Sequence, residues 1–248
     1  MRSGRREGPV RIMIVDIGGS HVKVGFSDRD GEVKIPSGRN LTPEKMLRKL
    51  TRLLRTEPFD RVSVGYPGVV VRGRVVADPS NLGKGWVGFD FERAFGRPTR
   101  VLNDAAMQAL GSYHGGRMLF LGLGTGLGTA LVIDGQLEPM ELGHLPYKKG
   151  KTYEDYIGER ALQRFGRKKW QKEVLDVTRL LTAALEPEYI VMGGGNVRKL
   201  RVLPPLTERG DNRNAVLGGI RLWRSSAGAV AAGARRPPSP PPAPGRRA

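Results

Sequence analysis

Apolar residues fall in short dense runs broken by glycine turns, with helical periodicity in between. RIMIVD (11–16) reads as a buried strand, IGGS as a turn and HVKVGFSD as the returning strand. DRDGEVKI predicts a hairpin with Asp30-Gly31 at its turn. In TPEKMLRKLTRLLRT (42–56), Met46, Leu47, Leu50, Leu53 and Leu54 share one face, Thr42 can cap and Pro43 suits the first helical position. The pattern continues with the strand RVSVGYP, the hairpin VVVRGRVVA, the glycine-rich loop DPSNLGKGWVGFD, a short helix, the strand TRVLND and the helix AAMQALGSY.

From Arg117 the opening logic returns: strand RMLFLGL, glycine turn, strand GTALVIDG. A helix pair is expected over roughly 153–185, where Trp170, Val174, Val177, Leu181 and Ala184 share a face. YIVMGGG is a strand ending in three glycines, and NAVLGGIRLW a closing helix. Similar strand-rich halves with matching glycine turns predict an α/β protein of two related lobes around a cleft. The expected divisions are a basic extension over 1–11, a small lobe over 12–104 with the helix of 213–223 packing back on it, and a large lobe over 105–212. A disordered, Pro- and Arg-rich tail is expected over 224–248.

Two glycine turns, DIGGSHVKVG (16–25) and GLGTGLGTALV (122–132), are candidate phosphate sites, because successive backbone N–H groups can nest an anion. Each alone reads equally as a tight hairpin. Neither has the Walker A pattern, and neither opens a helix as a dinucleotide fingerprint does. Asn103 and Asp104, side by side where a strand becomes a helix, read first as capping residues.

Charge and composition then narrow the classes. The chain of 248 residues carries a formal net charge of +18 and no cysteine. Zero cysteines excludes disulfides and thiolate metal sites and fits a reducing cytoplasm. No apolar run reaches membrane-spanning length and no signal-peptide core follows the basic start, so a cytoplasmic protein without membrane contact is expected. The positive charge suits a polyanionic partner or, equally, a solvated Arg-rich surface. At 6% aromatic, the chain lacks a stacking platform for nucleic acid, and no specific nucleic-acid partner is expected.

Six short motifs, in family order along the chain, resemble those of the ROK sugar kinases, and within them the zinc-free, polyphosphate-glucokinase-like branch. DIGGS and GLGTGLG resemble the two phosphate loops, NLGKGW and LND the sugar loop and base motif, ELGHL the E-x-G-H sugar clamp, and VMGGGN the adenosine-side loop. The resemblance spans nearly all of residues 12–223. It implies a two-lobed actin-like (ribonuclease-H-like) sugar-kinase fold with a central cleft. The implied activity is phosphorylation of glucose at its 6-hydroxyl, with ATP, inorganic polyphosphate or both as donor. Kinases for N-acetylmannosamine or fructose, and a non-catalytic sugar sensor, share the scaffold and stay open. Family habit implies a homodimer.

The resemblance makes Asp104 the general base, with Asn81, Asn103, Glu141, His144 and Glu154 on the sugar. His144 could also be a plain surface-loop histidine. Phosphate and nucleotide contacts fall to Gly18, Gly19, Ser20, Lys23, Gly124, Thr125, Gly126, Gly193, Gly194, Gly195 and Asn196. Lys23 stands where polyphosphate glucokinases have the lysine of GGSxxK. Asp16 is expected to hold Mg²⁺ through water, or simply to cap its turn. Two departures matter. The cysteines that hold zinc in most members after E-x-G-H are replaced by KGKTYEDYIGERAL, so no zinc is expected. About ten residues precede the first strand, too few for the repressors' DNA-binding helices.

Overall fold

The computed structural model describes residues 9–79, 81–211 and 213–224. Most of the expected extension and tail therefore lies outside the described residues. In chain order the elements are β1 (Ile12–Ile17), β2 (His21–Phe26), β3 (Arg29–Pro36), α1 (Pro43–Leu53), β4 (Arg61–Tyr66), β5 (Val70–Val71), β6 (Arg74–Val75), α2 (Phe91–Phe95), β7 (Thr99–Asn103) and α3 (Asp104–Ser112). They continue with β8 (Arg117–Leu123), β9 (Leu127–Ile133), β10 (Gln136–Met140), α4 (Glu154–Ile157), α5 (Glu159–Leu185), β11 (Tyr189–Gly193), β12 (Thr207–Arg209) and α6 (Asn214–Arg221).

Two five-stranded sheets repeat one topology. The first runs β3-β2-β1-β4-β7 and the second β10-β9-β8-β11-β12. In each, the first strand pairs antiparallel with the second and parallel with the fourth in line. This duplicated order is the two-lobed α/β arrangement that the paired glycine turns predict.

The apolar runs explain the layering. β1 is buried at all six positions, as expected of a strand covered on both faces. Its odd residues, Met13, Val15 and Ile17, pack outward against Met46, Leu50 and Trp86. Ile12 and Ile14 face inward onto α3 and α6. On the second sheet, Met118 and Phe120 face the same central layer, while Leu119 and Leu121 meet α5 through Trp170, Val174 and Val177. Thus α3 and α6 form a middle layer that both sheets share. Trp223 fastens the end of that layer: its Nε1 donates to Ser63 Oγ at 2.9 Å and the guanidinium of Arg100 lies 4.3 Å over its ring.

One expectation needs correction, and a second is met with a detail. Asp30-Gly31 is not the hairpin turn; the chain turns at Ser27-Asp28, and Gly31 lies within β3 at φ +98°. The register shifts between Val24 and Phe26, so the pair makes a bulge there rather than the reversal. The helix pair is uneven, with α4 only four residues long and α5 broken at Gly166 (φ 74°, ψ 161°).

Candidate active site

A cavity of about 440 Å³ opens between the lobes, where the carboxyl ends of β7, β8 and β11 converge. Ligands of open α/β sheets sit outside such strand ends. Asp104, Asn103, Asn81, Glu141, His144 and Glu154 all line it, from four separate stretches of chain. Gly19, Gly124, Thr125, Gly126 and Gly194 line it as well.

The strand-to-helix junction divides its labour between neighbours. Asn103 is the helix cap: its Oδ1 accepts from the Ala106 N–H at 3.1 Å. Its Nδ2 donates to the Gly68 carbonyl at 3.1 Å, which leaves one amide N–H for a ligand. Asp104 is the first helical residue, and its Oδ1 accepts from the Ala105 N–H at 2.8 Å. The residue lines the cleft. Enclosure by protein pushes the Asp104 carboxyl up to about 7, with the negative charge of Asp16 adding to the effect.

Asp16, the last residue but one of β1, lies directly across from Lys23 of β2. It is 7% exposed, and its Oδ2 lies 3.9 Å from Lys23 Nζ. Burial raises this carboxyl to about 6, although Lys23 opposes the shift. Gly65 on the intervening strand permits the approach of the two acids. A Cβ there would lie 2.5 Å from Met107 Cε, 3.3 Å from Asp16 Oδ1 and 3.5 Å from the Asp104 Cα. A glycine inside a strand commonly marks such a close approach.

The opposite wall holds acceptors. Glu154, at the start of α4, accepts from the Leu127 N–H at 3.0 Å through Oε2 and keeps Oε1 for other partners. Its carboxylate rests on Gly126, where a Cβ would meet Oε2 at 2.2 Å. Glu141 stands at the mouth, exposed on one side. Burial on the other raises its pKa, His144 opposing and Glu154 adding. The two residues are joined through the backbone, His144 N–H donating to the Glu141 carbonyl at 3.1 Å. Asn81 leans on the first glycine turn, where a Cβ at Gly19 would lie 2.5 Å from its Nδ2.

The remaining candidates lie around rather than in the cavity. Gly18 closes the first hairpin by donating to the His21 carbonyl at 2.9 Å, and Ser20 is exposed beside it. Gly193 is a buried strand end, and Gly195 is exposed. Asn196 is 6% exposed and braces the second glycine loop, its Nδ2 donating to the Gly124 carbonyl at 3.0 Å. Gly194 needs its residue type, at φ +86° and with Leu123 O 2.4 Å from where a Cβ would sit. Among the described residues, no group of three or more His, Cys, Asp or Glu side chains could hold a metal. Two polar side chains of the cavity went unread in the sequence, Gln108 and Asp78. The latter accepts from the Trp86 N–H at 2.8 Å and so shapes the glycine-rich loop.

The family model described as "ROK family" matches residues 12–152. The chain belongs to the ROK family. Polyphosphate glucokinase of Mycobacterium tuberculosis is 29% identical to this ROK protein over 225 residues, covering 82% of this chain and 83% of the relative. The inorganic polyphosphate/ATP-glucomannokinase of Arthrobacter sp. strain KM superposes with a TM-score of 0.75 at 26% identity, over 87% of this chain and 99% of that one. N-acetylmannosamine kinase of Salmonella arizonae is 31% identical over 142 residues, half of this chain and 48% of the relative. The ROK kinase structures share the actin-like, two-lobed fold described above. No helix among the described residues is long and apolar enough to cross a membrane.

Proposed function

We propose that this ROK protein is a hexokinase-type phosphotransferase that phosphorylates glucose at its 6-hydroxyl. The observation that carries the reading is Asp104: an enclosed carboxylate that lines the cleft, with a pKa raised to about 7. A general base works best with a pKa near the operating pH. In this reading Asp104 accepts the hydroxyl proton as the oxygen attacks the phosphoryl group in line. Asn81, Asn103, Glu141, His144 and Glu154 hold the sugar's other hydroxyls, mostly as acceptors.

The donor's phosphates are assigned to the backbone N–H groups and hydroxyls of Gly18, Gly19, Ser20, Gly124, Thr125 and Gly126. Gly193, Gly194, Gly195 and Asn196 border the nucleotide end, Asn196 by bracing the loop. Magnesium fits the donor set, because Asp16 is a buried hard-oxygen ligand whose only close counter-charge among the described residues is Lys23 at 3.9 Å. When bound, the ion would neutralise charge on the transferring phosphoryl group.

Polyphosphate is the proposed donor, ATP a second one. The relatives named above support this, as do the +18 charge and Lys23 beside the first loop. A phosphate chain meets more basic side chains than a nucleotide does, so its binding is screened more steeply by salt. The Michaelis constant for polyphosphate is therefore expected to rise with ionic strength more than that for ATP. Robust turnover with ATP and none with polyphosphate at low salt would leave ATP as the donor.

A coupled assay of glucose, mannose, N-acetylmannosamine and fructose against both donors tests the reading as a whole. Transfer to N-acetylmannosamine alone would favour the second relative's chemistry, and no transfer to any sugar would favour a sensor. A single substitution tests the sugar side. In Gly19→Ala the new methyl displaces Asn81. We expect the Michaelis constant for glucose to rise several-fold with an unchanged melting temperature. An unchanged constant would remove Asn81 from the sugar site.

A further inference from the structure

One turn beyond Asp104 on α3, Gln108 occupies the same helix face and lines the same cavity. Among the described residues its side-chain amide has no hydrogen-bond partner; beyond the helix's own backbone bonds, only its carbonyl is used, by Ser112 Oγ at 2.8 Å. The amide rests on the end of β11, where a Cβ at Gly193 would lie 3.2 Å from Gln108 Oε1. Gly193 in turn sits beside Gly122 across the parallel pair β11 and β8. Gln108 therefore ends at the carboxyl tips of the two strands that lead into the Gly124 and Gly194 loops.

The charges around the cavity say what such a group can meet. Asp16, Asp104, Glu141 and Glu154 present carboxylates to its surroundings. Those acceptors suit hydroxyls and repel phosphate. An anionic ligand in the same cleft needs neutral or positive donors placed away from them. Gln108 offers two N–H donors with no charge to desolvate, and it is Oε1, not Nε2, that comes against Gly193.

We infer that Gln108 donates a hydrogen bond to a phosphate oxygen of the phosphoryl donor and thereby sets donor affinity. The inference rests on the kinase reading above for the identity of that ligand. Gln108→Glu keeps the shape and helix propensity but turns the donor into a repelling carboxylate. Gln108→Ala only deletes the contact.

The test measures Michaelis constants for donor and sugar in both variants, and the affinity for inorganic tripolyphosphate by calorimetry. For Gln108→Glu the donor constant should rise at least about tenfold and tripolyphosphate affinity fall by a similar factor, a loss typical of one charge-sensitive hydrogen bond. Gln108→Ala should show the same direction at a few-fold. The glucose constant should stay within about twofold in both, which general damage to the cleft would not leave unmoved.

Unchanged donor constants and tripolyphosphate binding, or a rise confined to the sugar, would overturn the inference. The calorimetric arm needs no turnover. Tripolyphosphate binding that weakens in Gln108→Glu while the wild type phosphorylates no hexose would uphold the Gln108 contact and overturn the kinase reading.

Discussion

Replacing Asp104 with asparagine is expected to cut turnover by at least about 10²-fold while leaving the fold no less stable. General-base catalysis is worth on the order of 10²–10⁴-fold, and asparagine cannot accept the proton. The cap is unaffected, because it belongs to Asn103, whose Oδ1 accepts from Ala106. Asparagine can also keep the Oδ1 contact to the Ala105 N–H. Steady-state kinetics with saturating donor, beside a thermal melt, make the measurement. Near-wild-type turnover in a normally stable variant would leave Asp104 without a chemical role.

The raised pKa adds a pH signature. Folding lifts the Asp104 carboxyl from 3.8 to about 7. Between those values the folded state holds a proton that the unfolded state has lost, so stability declines as pH rises through the window. By pH 8 the wild type bears the full cost of a buried charge close to Asp16. The asparagine variant bears none of it, so its melting temperature should exceed the wild type's at pH 8, by at least about 2 °C, and match it near pH 4. For the wild type, kcat/KM should fall about tenfold per unit below roughly pH 7, as the base becomes protonated. A flat activity profile down to pH 5 would contradict the assignment. Stability and activity then move in opposite directions at one residue, as expected where a site is held in a costly electrostatic state.

Local signals carried much of the site and tertiary approach decided the rest. The buried runs of β1 and β8, each followed by a glycine turn and a returning strand, were legible because a strand covered on both faces leaves no polar alternation. Asn103 and Asp104 were legible as a pair but not in their division of labour, which depends on where the helix begins. Asp30-Gly31 misled, since the dipeptide's tolerance of positive φ serves a bulge as well as a turn. The roles of Gly65, Gly126 and Gly19 were hidden for a different reason. Each makes room for a side chain distant in sequence: Asp16, Glu154 and Asn81 respectively. Gln108 was unreadable as well, because a glutamine in an alanine-rich helix has no periodic or motif signature. Only the packing of α3 over the end of β11 makes it a cleft residue.

Gly218→Ala is expected to be the most damaging small substitution in the molecule, although alanine is the better helix former. In an open helix the change would stabilise by about 1 kcal/mol. Here a Cβ at Gly218 would lie 1.8 Å from the Met107 carbonyl oxygen, and one at Gly111 would lie 1.8 Å from the Asn214 carbonyl oxygen. The obstacles are backbone atoms, so no rotamer change relieves them. Helices α3 and α6 must separate, and both contact both sheets' shared layer. Gly219 blocks the other escape, with Ile14 Cγ1 2.6 Å from where its own Cβ would be. Overpacking on this scale belongs at the severe end of core substitutions, about 3 kcal/mol or more, which for a chain of this length lowers the melting temperature by roughly 6–12 °C. Turnover should fall with it, because α3 carries Asp104 on its first turn and loses its backing. Gly195→Ala is the control, with nothing within 4 Å of its Cβ position and no positive φ. It should melt within about 1 °C of the wild type, since substitutions clear of packing and strain stay within about 0.5 kcal/mol. A Gly218→Ala protein that melts with the control would mean that α3 and α6 part without cost, and that the glycine pair in NAVLGGIRLW serves something other than this crossing.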